Sequence, residues 1–158
     1  MAASSSKAAG DIIRWLEHPA VMVRELFGVE PDPWQAEVLE VFPTPAGKRI
    51  AMPASKGPGK TAVEAWLIWN FLLTRPYPNI AATSVTADNL RDGLWKELAK
   101  WQEKSPLLKS AFTWGKERIF AKDHPETWWA AARSWSQSAD AQTQSETLAG
   151  IFHFASAA

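Results

Sequence analysis

The stretch "PASKGPGKT", Pro53 to Thr61, decides how this chain is read. Its end fits the phosphate-loop pattern G-x-x-x-x-G-K-[ST] through Gly59, Lys60 and Thr61. The first glycine of that pattern would stand at position 54, where the chain has Ala54. Such a loop turns backbone N–H groups inward and aims a helix N-terminus at the anion. Gly57 and Gly59 supply the backbone freedom this requires. Lys60 would neutralise the outer phosphates. The Thr61 hydroxyl would bind Mg²⁺, an ion that keeps several waters and bridges phosphate oxygens. Two residues work against the pattern. Ala54 must turn without glycine's freedom, and Pro58 lacks an N–H and holds Gly57 extended. The competing reading is a lysine-containing turn between a strand and a helix.

The flanks supply the context that the pattern needs. Arg49 to Met52 is a short strand candidate leading into the loop. After the loop, "KTAVEAWLIWNFLLTR" is apolar on nearly every side, which predicts a buried helix from about Gly59 to Thr74. Pro76 and Pro78 end it. "NIAATS", residues 79 to 84, is a second strand candidate. Thr86 is placed to cap a helix running to Gln102, with Leu90, Leu94, Trp95, Leu98 and Trp101 on its inner face and Asp88 in its first turn. "RIFAKDHPETWWAAARSW" reads as two strands around a turn at Asp123 to Glu126, and Ser136 to Thr147 as a polar loop. The order strand, glycine loop, helix, strand, helix predicts an α/β fold with a parallel sheet and flanking helices. Ligands bind such sheets at the carboxyl ends of the strands, where this loop falls.

Upstream, residues 1–10 are small and polar and read as a disordered terminus. Asp11 is placed to cap a short helix through Leu16, which Pro19 interrupts. "VMVRELFG" ends at Gly28, a natural helix stop. Asp32 and Pro33 fit the N-cap and first position of a helix whose apolar face carries Trp34, Val38, Leu39 and Phe42. On that helix Gln35 has a side-chain amide that donates and accepts at once, as the N6 and N7 edge of adenine requires. An ordinary helix-surface glutamine is the plainer alternative.

Composition sets the outer bounds. The 158 residues suit one domain or part of a larger one, and equal numbers of acidic and basic residues give no global attraction to DNA or membranes. Without cysteine there is no disulfide framework and no thiolate metal site. The most apolar run, Ala65 to Leu73, is broken by Asn70 and is too short to span a bilayer. Among ten tryptophans, Trp66, Trp69, Trp95 and Trp101 fall in helical patterns that suit core packing. Lys96, Lys100, Lys104 and Lys109 could meet DNA phosphates or form a solvated face.

These motifs together resemble the large subunit of tailed-phage terminases, the ATP-driven motors that package DNA. The likeness is carried by "DPWQ" at Asp32 to Gln35, by "ASKGPGKTA" and by "AATSVTADNLRDGLWKEL" from Ala81 to Leu98, with a weaker match at "SETLAG". It implies a P-loop NTPase core of the RecA-like, additional-strand type over residues 11–150. It implies that ATP and Mg²⁺ are held by Gln35, Ser55, Lys56, Gly57, Gly59, Lys60 and Thr61. Gln35 would read adenine, Thr61 would carry the metal, and Lys60 and Lys56 would act on the phosphates. Terminase loops often lack the first glycine, so Ala54 is family-like. Some relatives have arginine where Lys56 stands; lysine keeps the charge and lacks the planar fork. The family's Asp-Glu strand end and nuclease domain do not follow Gly150. Residues 151–158, "IFHFASAA", form an atypical tail, so the resemblance implies an N-terminal fragment, inactive alone. In the full-length family the partners are double-stranded DNA, the small subunit and the portal protein, in a ring within the bacterial cytoplasm. A helicase-like ATPase fragment and a non-catalytic nucleotide-binding or assembly remnant are the alternatives.

Overall fold

A computed structural model describes residues 2–52, 59–84, 88 and 90–134. Helix α1 spans Ala2–Glu17, α2 Pro19–Phe27 and α3 Pro33–Val41. A 3-10 turn follows at Pro45–Lys48. Helix α4, Lys60–Thr74, leads to strand β1, Asn79–Ser84. A π-type stretch, Leu90–Trp95, runs into α5, Lys96–Glu103. Helix α6, Pro106–Ala111, opens strand β2, Phe112–Trp114, before the strands β3, Arg118–Ala121, and β4, Trp129–Ser134.

The local signals explain most of these boundaries. Gly28 closes α2 in the left-handed conformation (φ 65°), its N–H donating to the Arg24 carbonyl. Asp32 and Gln35 form a reciprocal capping box on α3, with Pro33 at its first position. Helix α4 buries Val63, Ala65, Trp66, Trp69, Asn70, Leu72 and Thr74 on a face wider than half of its cylinder, while Glu64 on the remaining side is exposed. Helices α1, α2 and α3 pack against it on one side, and α5 and β4 on another.

Polar groups fix the position of this central helix. Asn70, wholly buried, donates to the Trp15 carbonyl at 2.8 Å and so ties α4 to α1. The Trp69 indole N–H donates to the Leu98 carbonyl at 3.1 Å, and that of Trp128 to the Leu72 carbonyl at 2.7 Å. The four helical tryptophans are all core residues, as their spacing predicts. Trp66 packs edge-on against Trp101, and its own N–H finds no partner among the described residues. An unmade bond of that kind costs about 1–3 kcal/mol, set against the large apolar area that the ring buries.

Four expectations are corrected. Residues 2–10 continue α1, because alanine and lysine favour helix, and Asp11 is an interior residue paired with Arg14 at 3.1 Å. Arg49 to Met52 joins no ladder among the described residues, although Met52 packs on the core. The sheet is mixed instead of parallel, in the order β1-β4-β3-β2. Strand β1 runs parallel to β4, from Asn79 opposite Trp129 to Ser84 opposite Ser134, while β3 is antiparallel to both its neighbours. The fourth correction is within the helix that runs to Gln102, whose Leu90–Trp95 stretch is π-type and contains Gly93, a residue that weakens the α preference.

Helix α6 and strand β2 were not foreseen in the sequence. Their signal is Ser105-Pro106. Ser105 is a buried N-cap whose hydroxyl accepts from Leu108 N–H, and Pro106 takes the first helical position. The hairpin of β3 and β4 forms as expected, with its turn closed by bonds from His124 N–H to Ala121 and from Trp128 N–H to His124. The Thr86 cap and the polar segment from Ser136 to Thr147 lie outside the described residues, as does the 151–158 tail.

Candidate functional site

Gly59 is the residue on which the site turns. It precedes the first residue of α4 with φ at 108°, in the region that L side chains rarely adopt. Lys60 and Thr61 are the first two helical residues, both partly exposed. The α4 ladder begins with Val63 N–H donating to the Gly59 carbonyl at 3.1 Å. The preceding N–H groups of the first turn are outside that ladder, as at any helix start.

The charge pattern here runs against ordinary helix design. The positive end of a helix dipole favours acidic residues, yet the first turn of α4 has none and begins with Lys60. One turn on, Glu64 has its carboxyl raised above the usual carboxylate range by partial burial, opposed by the charge of Lys60. The turn therefore places a cation, a hydroxyl and helix N–H groups at one end of a helix whose other end is anchored in the core. That set suits a multiply charged oxyanion.

Gln35 lies against this turn from α3. Its side chain is 5% exposed. Its Oε1 accepts from Asp32 N–H at 2.8 Å, and its Nε2 donates to the Gly59 carbonyl at 3.1 Å. Sequence reasoning placed Gln35 in the site; the structure brings it to Gly59 and gives both of its polar ends backbone partners. Trp34, 39% exposed, borders the same spot, where a Cβ at Gly59 would lie 3.3 Å from its ring. Sequence reasoning gave Trp34 only an apolar face, and the Pro-Trp-Gln run was the signal for its second position.

The expected loop residues Ser55, Lys56 and Gly57 lie outside the described residues, with Ala54 and Pro58. Among the described residues no group of three His, Cys, Asp or Glu side chains is placed to hold a metal ion. The single hydroxyl of Thr61 fits an ion that takes most of its ligands from phosphate and water.

The lysines of α5 and α6 are largely engaged within the fold. Lys96 pairs with Asp92 at 2.9 Å, Lys100 with Glu97 at 3.0 Å and Lys109 with Glu103 at 2.8 Å. Lys104 lies over the Trp101 ring at 4.5 Å. These are the contacts of a solvated, self-neutralised face. No helix among the described residues is long and apolar enough to cross a membrane.

Comparisons of the chain with protein-family models, with curated proteins and with solved structures give no match. The α/β architecture, with a four-stranded mixed sheet and flanking helices, rests on the structure itself.

Proposed function

We propose that this chain is the nucleotide-binding part of a P-loop ATPase of the RecA-like, additional-strand type, holding ATP with Mg²⁺ at the start of α4. The observation that carries the reading is the opening of α4 itself. A glycine with positive φ, a lysine and a threonine begin a fifteen-residue helix that has no carboxylate in its first turn. A cation at that end costs a few tenths of a kcal/mol in a helix that binds nothing, and a bound polyanion reverses the sign.

In this reading Lys60 would neutralise the outer phosphates, and the Thr61 hydroxyl would hold Mg²⁺. The ion supplies charge stabilisation to the phosphoryl group. Ser55, Lys56 and Gly57 complete the loop, with Lys56 as a second cation for the phosphates. The resemblance to terminase large subunits extends the proposal to a DNA-packaging motor in the bacterial cytoplasm. That motor would act on double-stranded DNA with a small subunit and a portal protein.

Thermal unfolding with and without Mg-ATP tests the site. Ligand at about 100 times its Kd adds roughly 2.7 kcal/mol to the stability of a protein that binds it only when folded. Lys60→Ala is expected to remove most of that gain. A gain that survives Lys60→Ala would place the nucleotide elsewhere.

A further inference from the structure

We propose that Gln35 is a positioning residue for phosphate. Its carboxamide clamps Gly59 and thereby sets the first turn of α4, in place of reading a base. The inference rests on the phosphate-site reading of that turn. Reading adenine needs the amide oxygen and nitrogen presented together to one flat ligand edge. Here the two atoms are turned to two different backbone groups, Asp32 N–H and the Gly59 carbonyl, and the side chain is nearly closed to solvent.

Gly59 is shaped by the same contact. A Cβ there would lie 2.5 Å from Gln35 Nε2, so any side chain at this position would push the amide aside, and the backbone at φ 108° makes a separate and firmer demand for glycine. The Gly59 carbonyl accepts from Gln35 and also from Val63 N–H, the first ladder bond of α4. Clamp and helix start therefore share one acceptor. A shift of the amide moves the turn that carries Lys60 and Thr61, whichever base the nucleotide bears.

Gln35→Glu separates the two jobs of the side chain. The introduced carboxylate still accepts from Asp32 N–H, so α3 keeps its capping box, but it has no proton to donate to Gly59. Two readouts on the full chain follow. Amide exchange at Val63 should quicken about fivefold or more with no nucleotide present, while the buried centre of α4 is unchanged. Calorimetry should show roughly tenfold weaker binding of Mg²⁺ with inorganic triphosphate, and the same fold-loss for Mg-ATP, as loss of one well-placed hydrogen bond implies. Gln35→Met, which removes the clamp without a buried charge, should repeat both effects if the first variant folds poorly.

A glutamine that only caps α3 would leave exchange and affinity untouched in Gln35→Glu, and that result overturns the clamp. A loss confined to ATP, with triphosphate binding intact, makes Gln35 a base reader and overturns the positioning role. Wild-type chain that binds neither ligand sinks the phosphate reading, and the positioning role with it. The exchange result then still decides whether the clamp exists.

Discussion

Arg49–Met52 and Asn79–Ser84 are the two short apolar segments that flank the loop and α4, and among the described residues only the second is paired as a strand. Both follow turn-forming residues, and both have the length of an ordinary strand. Asn79–Ser84 lies beside β4 over six residue pairs, and the Asn79 side chain adds a bond to the Thr127 carbonyl at 2.7 Å. Arg49–Met52 has no described strand beside it, and Ala51 is exposed. A strand is a property of a pair. Its backbone groups need a neighbour, and local composition supplies only the readiness to accept one.

The paired segment is held twice, by its ladder and by the helical layer it rests on. The largest expected effect comes from that layer. Trp69 is wholly buried, meets Phe112 edge-on at 5.7 Å and bonds to α5. Trp69→Ala should cost about 3–5 kcal/mol in urea unfolding, as large core truncations do. A loss below about 1 kcal/mol would mean that the layer does not support the sheet.

Next comes the ladder itself. Strand β4 is paired on both sides, with Ala130 opposite Ile80 and Ile119, and Ala130 is fully buried. Proline there must remove a ladder bond and crowd the core, so Ala130→Pro should cost roughly 3 kcal/mol. Near-wild-type stability would show that β1 does not need β4, and the contrast between the two segments would lose its cause.

The smallest effect belongs to the unpaired segment. Ala51→Pro should shift unfolding stability by less than about 0.5 kcal/mol, because Ala51 is exposed and joins no ladder among the described residues. A loss comparable to that of Ala130→Pro would reveal a partner for Arg49–Met52.

Much of the candidate site was legible because its signals are local. Gly59-Lys60-Thr61 at a helix start, Asp32-Pro33 as a cap, and an apolar surface around α4 are each readable within one or two turns. The bond from Gln35 to Gly59 was not legible, since 24 positions separate the two residues and only packing of α3 against α4 brings them together. Gln35 looked like a helix-surface residue or a base reader, and burial decided that its amide meets the backbone.

The sequence by itself determined the ends of α2 and the starts of α3 and α6, through proline, glycine and capping residues that act on their own neighbours. It also determined which faces must be buried, through the periodicity of tryptophan and leucine. The tertiary structure decided which extended segments became strands, their parallel or antiparallel sense, and the partners of Gln35 and Asn70. Those outcomes depend on groups far apart in the chain, whose pairing is selected by burial and by the need of each buried polar atom for a bond.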